Sequence, residues 1–223
     1  VIRAVPIAIR TFGTRLAYIP GAADEVAQRL RQVGYEVTEI AVENLQKTRL
    51  SDFDAVITGI RAFNVHPRLL QLRQQLFDYA KDGGTVLVQY NTNNRWRRLA
   101  HPVGPKPFEI DRGRVTDETA PLRPLAPKHR ALLTPNLLTK ADFAGWVQER
   151  GLYFAKSWDK AYTPLFAAAD PGEAEERGST LILSHGEGAF VYTGLSFFRQ
   201  LPAGVPGAYR LLANLLALKA DQR

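Results

Sequence analysis

The chain has 223 residues, a formal net charge of +7 and no cysteine. The missing thiols exclude a disulfide framework, a zinc–thiolate site, an iron–sulfur cluster and a Cys nucleophile, and leave the compartment, cytoplasmic or exported, undecided. With 45% hydrophobic and 23% charged residues, the chain is of ordinary globular make-up and long enough to bury a core without staples.

Its cations are scattered. The densest group is Arg95, Arg97 and Arg98 around Trp96, and no long Lys/Arg run exists, which reads as a solvated surface rather than a nucleic-acid interface. No apolar run approaches the ~18 residues of a membrane span, and Leu211 to Leu218 reads as a buried helix face. The chain opens on Val1 rather than Met, as expected of a fragment or a processed form.

Residues 1–14 read as a linker or an edge strand reaching in from an upstream domain. Leu16-Ala17-Tyr18-Ile19 is a short strand closed by Pro20-Gly21. Val26, Leu30 and Val33 lie at helical spacing, with Gly34 as the stop. Residues 35–40 alternate like a strand, and 53–60 form another. Pro67 opens a helix whose face carries Leu69, Leu72, Leu76 and Tyr79, and Gly83-Gly84 ends it. Residues 85–90 are a fourth strand. From about 94 to 170 prolines recur and periodicity fades, so this stretch reads as an excursion. Within it, residues 113–116 are expected in a small hairpin, and Thr139 and Asp142 have capping-box spacing for a short helix through Trp146. Residues 179–194 form a hairpin around Gly186-Glu187. Pro206 opens a C-terminal helix with Tyr209, Leu212, Leu215 and Leu216 on its apolar face.

Strands alternating with helices predict a parallel sheet covered on both faces. The fold class expected is α/β: a three-layer α/β/α sandwich with a flavodoxin-like, mostly parallel sheet spanning residues 15–223 and interrupted by the excursion. Motif searches return little chemistry. Gly194-Leu195-Ser196 lacks the second glycine of a nucleophile elbow. His66, His101, His129 and His185 have no metal-ligand spacing, and no glycine-rich dinucleotide or phosphate loop occurs. No metal or cofactor is expected.

In open α/β sheets, ligands bind beyond the carboxyl ends of the strands. Those ends carry Arg61 and Asn64, then Tyr90 and Asn91, then Ser196. Amides, hydroxyls and one arginine suit hydrogen bonding to a neutral polar ligand better than acid–base work. The amide of Asn91 is expected to point into the cleft.

Three strings, 16–21, 57–64 and 83–91, resemble a class I glutamine amidotransferase-like domain of the ThuA-like kind, and 188–195 resembles a late segment of that group. Residues 143–154 and 197–210 resemble the domain joined to bacterial PIG-L (LmbE-like) sugar N-deacetylases. The likeness runs from about Arg15 to the end. It implies a Cys on the turn after the strand at 85–90, but this chain has Asn91-Thr92 there. The family's His–Glu pair would fall near Ser196 and Phe197, so glutaminase chemistry is excluded. His66-Pro67 and His101-Pro102 lack the aspartates of the deacetylase H-P-D-D signature, so the zinc-dependent hydrolase would lie upstream. The resemblance therefore implies a non-catalytic accessory domain that binds carbohydrate or packs on a deacetylase domain of the same polypeptide. The alternative is a stand-alone hydrolase using a Ser or a recruited metal.

Overall fold

The computed structural model describes residues 6–93 and 99–218; the Arg95–Arg98 group lies outside them. The first half alternates strands and helices. It runs β1 (Arg15–Ile19), α1 (Val26–Gln32), β2 (Glu36–Glu39), β3 (Ala55–Thr58), α2 (Ala62–Val65), α3 (Pro67–Lys81) and β4 (Thr85–Gln89). Two 3₁₀ turns, Val42–Lys47 and Leu50–Asp52, fill the connection after β2, where the sequence pattern shows no periodicity. The middle holds β5 (Phe108–Ile110), β6 (Arg114–Val115), β7 (Arg123–Pro124), α4 (Arg130–Leu133), β8 (Gly151–Leu152), β9 (Ala155–Trp158), β10 (Thr163–Pro164) and β11 (Phe166–Ala167). The end returns to regular structure with β12 (Thr180–His185), β13 (Gly188–Thr193), α5 (Phe197–Gln200) and α6 (Pro206–Leu216).

Seven strands form one sheet in the order β10-β12-β13-β4-β3-β1-β2. β2, β1, β3, β4 and β13 are mutually parallel, in the flavodoxin-like arrangement expected from the sequence. The β12–β13 hairpin adds an antiparallel strand next to β13. Every residue of β3, β4 and β13 is buried, as strands covered by helices on both faces must be. β2 is mostly exposed and closes one edge.

Alternation along the strands sorts the two cores. Leu16, Tyr18, Leu87 and Val191 face the layer of α1 and α6. Ala17, Ile19, Val86, Val88, Phe190 and Tyr192 face α3 and the 3₁₀ turns. Each such large apolar side chain contributes roughly 1.5–3 kcal/mol on burial. Pro67 occupies the first turn of α3, where a missing N–H costs nothing, and Gly83 ends it at φ 106°, a backbone glycine adopts freely.

α6 is buried nearly all round, because its outer side receives the excursion. A Cβ on Gly207 would stand 1.8 Å from the Asp142 carbonyl oxygen, so the turn Lys140–Phe143 rests directly on the α6 backbone. Further along, Asn214 is fully buried. Its amide donates to the carbonyls of Ala131 (2.9 Å) and Asn136 (2.7 Å), and accepts from Asn136 N (2.9 Å). Asn136 in turn exchanges two bonds with the Arg10 backbone, 2.9 Å each.

The structure adds to or departs from the sequence reading at four places. Residues 6–14 are no edge strand; Ile7 and Ile9 pack against the α1–α6 core instead. The strand at 114–115 pairs with distant β8, not in a local hairpin, because two residues offer too few bonds to close one unaided. The capping pair is present, with Thr139 N donating to the Asp142 carboxylate at 2.7 Å. Yet the turn is 3₁₀ and stops at Phe143, before Gly145 at φ 70°. Finally, β10 within the excursion supplies the far edge of the sheet, a strand that the sequence pattern does not mark.

Candidate functional site

The carboxyl ends of β1, β3, β4 and β13 share one side of the sheet. Between β1 and β3, where the strand order reverses, the crevice is closed by backbone. Ala22 N donates to Ile60 O at 2.8 Å, and a Cβ on Gly21 would lie 2.1 Å from that same oxygen. Asp24 accepts from Val26 N (3.0 Å), Ile60 N (3.1 Å) and the Tyr18 hydroxyl. Burial, and then the charge of Asp24, push the Tyr18 hydroxyl far above its usual range, so it remains a donor.

At the exit of β4, two amides stitch the chain to α2. Asn91 is fully buried. Its Oδ1 accepts from Phe63 N and its Nδ2 donates to Gln89 O, both at 3.0 Å. Asn64 donates to Thr92 O and accepts from Thr92 N, both at 2.8 Å. Once the chain leaves the ladder these backbone groups need partners, and an amide supplies a donor and an acceptor at once. The expected inward-pointing Asn91 is thus corrected: its side chain is consumed by its own neighbourhood. Arg61 sits at φ 57° and donates its N–H to Tyr90 O at 2.8 Å.

At the exit of β13, the excursion lies across the rim. Leu152 N donates to Gly194 O (2.9 Å), and Ser196 N donates to Arg150 O (3.0 Å). Gln200, fully buried, accepts from Val147 N (2.8 Å) and donates to Val147 O (2.9 Å). Arg199 pairs with Glu149 at 2.7 Å. The Tyr192 hydroxyl donates to Tyr153 O. The Tyr90 ring stacks on Tyr153 with centroids 5.5 Å apart at 11°, and meets Phe198 at 5.5 Å and 52°. The Arg199 guanidinium lies 4.9 Å from the Phe198 ring centre. Burial raises the Tyr90 hydroxyl above its usual range, against the opposing pull of Arg61. Ser196 is fully buried, and its Oγ has no hydrogen-bond partner among the described residues.

The rim thus brings Arg61 and Tyr90 together and ties Asn64 and Asn91 into the backbone. Ser196 lies beneath the excursion. Tyr153, Phe198, Arg199 and Glu149 belong to the same cluster and were not singled out from the sequence, since no periodicity links position 153 to position 90. An aromatic step flanked by two arginines and a carboxylate can stack and hydrogen-bond a polar ligand. It holds no activated nucleophile: among the described residues, Ser196 Oγ has neither an imidazole nor a carboxylate bonded to it. Among those residues, too, no group of three or more His, Asp or Glu side chains is placed to hold a metal, and no helix is long and apolar enough to cross a membrane.

No protein-family model matches the chain, and no curated protein matches it by sequence. Solved structures do. The cytoplasmic protein STM1381 from Salmonella typhimurium LT2 superposes with TM-score 0.54 at 12% identity, over 92% of this chain and 97% of that one. A protein described as a GMP synthase subunit from Thermoplasma acidophilum gives TM-score 0.52 at 9% identity, over 94% and 95%. The exo-β-1,4-mannosidase Op5Man5 from an Opitutaceae bacterium gives 0.52 at 12%, over 94% of this chain but 36% of that one. These likenesses show the fold alone: a three-layer α/β arrangement with a mainly parallel sheet.

Proposed function

We propose that this chain is a non-catalytic accessory domain of a carbohydrate-processing polypeptide, ThuA-like in kind and partnered with a sugar N-deacetylase of the PIG-L type. The observation that carries the reading is Asn91. By the resemblance it would occupy the turn of an amidotransferase nucleophile; it is fully buried, and its amide oxygen and nitrogen are both bonded to backbone. An amide in that position cannot attack, and one so engaged is not free to bind. Support of a second kind comes from Op5Man5, of which a fold like this one forms about a third (36%); the mannosidase in its name belongs to that protein. The ligand surface we assign is the half-buried pair Tyr153 and Phe198, which packs over the buried Tyr90 ring. Aromatic faces of this kind stack against the apolar faces of sugar rings while neighbouring arginines hydrogen-bond their hydroxyls.

The test has two arms. Incubated with glutamine, chromogenic glycosides and N-acetylated amino sugars, the purified chain should release no product above the buffer rate. Turnover that disappears in Ser196→Ala would establish the hydrolase alternative and end the accessory reading. In saturation-transfer NMR, N-acetylglucosamine oligomers should receive magnetisation from the protein, and Phe198→Ala should reduce it several-fold. No transfer would leave packing on the catalytic domain as the sole role.

A further inference from the structure

The excursion encloses a cleft of about 1000 Å³. None of the five rim residues lines it, so it is a separate feature, independent of the accessory-domain reading. Its walls are mainly apolar, built from Leu122, Leu132, Leu138, Phe143 and Trp146. Small-molecule sites share this character: mostly apolar, concave, with a few fixed polar groups.

Four charged side chains line the cleft: Glu118, Arg123, Lys140 and Arg150. Two are already engaged. Glu118 accepts from Gln148 N, and Arg123 pairs with Glu175 at 2.6 Å. Arg150 is different. It is only 3% exposed, its Nε donates to Ala120 O at 2.8 Å, and its Nη1 donates to Phe143 O at 2.6 Å. The guanidinium lies 5.4 Å from the Trp146 ring centre. Carbonyls orient it without neutralising it. Asp117 and Glu118 act on it only through space, and among the described residues no carboxylate forms an ion pair with it. Nη2 has no hydrogen bond among them either. A buried cation without a paired counter-charge is costly, and an anion entering the cleft would offset that cost. One free nitrogen suits a monoanion better than a phosphate, whose three oxygens call for more donors. Exposed Lys140, with no ion pair among the described residues, supplies the second cation.

We propose that this cleft binds a small amphipathic monocarboxylate, its aromatic or branched aliphatic body against Phe143 and the leucines and its carboxylate on Arg150. The probes are 4-phenylbutyrate and its methyl ester, titrated into the full chain by calorimetry and tryptophan fluorescence. The acid should bind saturably, and the ester roughly tenfold more weakly, as expected for loss of a charge-assisted hydrogen bond. Lys140→Gln should weaken the acid a few-fold. Arg150 also holds two carbonyls, so replacing it would disturb the excursion as well as the ligand, and the decisive variant is Leu138→Trp. It puts an indole where the ligand's body would lie, leaves Arg150 in place, and should weaken binding at least tenfold with the melting curve preserved. Equal affinity for acid and ester, no saturation at millimolar concentration, or unaltered binding in Leu138→Trp would each overturn the proposal. So would a dimer in sedimentation that Leu133→Ser dissociates, which would give the cleft to a second copy of the chain.

Discussion

The doubly wound part and the excursion are held together by different physics. In the first, strands and helices bury continuous apolar faces, and their hydrogen bonds run within a helix or between neighbouring strands. In the second, three two-stranded pieces, β5–β9, β6–β8 and β7–β11, pair over long sequence separations. They are held by buried amides and single side-chain anchors: Asn214, Asn136, Gln200, Arg150. A ladder spreads its stability over many small terms, whereas an anchor concentrates it. The excursion is therefore where one substitution does the most damage, and it also holds the cleft of about 1000 Å³.

That contrast is sharpest at the α6 contact. Gly207→Val should cost about 3 kcal/mol or more, at the upper end for overpacked cores, because its Cβ would stand 1.8 Å from the Asp142 carbonyl oxygen and the backbone must shift to admit it; urea denaturation would measure the loss. If the doubly wound core is autonomous, hydrogen exchange in β3 and β4 should stay slow in this variant while residues 139–143 lose protection. Uniform loss of protection would show that the two regions fold as one.

Asn214→Leu comes next. It strands the carbonyls of Ala131 and Asn136 and the N–H of Asn136, at about 1–3 kcal/mol for buried polar groups left unmade. The loss should appear in the denaturation midpoint with an unchanged m-value if the native contacts elsewhere survive. Asn91→Ala, inside the doubly wound part, should cost about 1–2 kcal/mol by the same reasoning, since Phe63 N and Gln89 O lose their partner. A stable variant with altered sugar binding would instead return Asn91 to the ligand site.

The smallest effect is a pH dependence. His129 accepts a bond from Ala131 N at its Nδ1, 3.1 Å, at the start of α4, and burial holds its pKa below the usual value. The folded state therefore binds this proton less tightly than the unfolded chain. Its contribution to stability is complete above about pH 6.5 and is lost as pH falls through the folded pKa. The urea midpoint should drop between pH 7.5 and pH 5.5, by less in His129→Asn, which keeps an N-cap acceptor without a titrating ring. An identical drop in both proteins would assign the dependence to other groups.

Much of the doubly wound part was legible because its signals are local. Pro67, Gly83-Gly84 and the period of Leu69, Leu72 and Leu76 mark α3 without reference to anything distant. The rim was legible only as a position. That Arg61, Tyr90 and Ser196 follow strand ends is a matter of topology, whereas Asn91 turning back to Phe63 and Gln89 depends on which backbone groups lack partners once the strand has ended. Tyr153, Phe198 and Arg150 became part of a site only when the excursion lay across β13 and α6. Sequence by itself determined the parallel strands of the sheet and the absence of a thiol nucleophile, because apolar periodicity and residue chemistry act within one element; the edge strand β10 came only with the tertiary structure. Only the tertiary structure decided which amides are spent on the backbone, where the aromatic step forms and which arginine is left facing a cleft, because those outcomes depend on contacts between segments tens of residues apart.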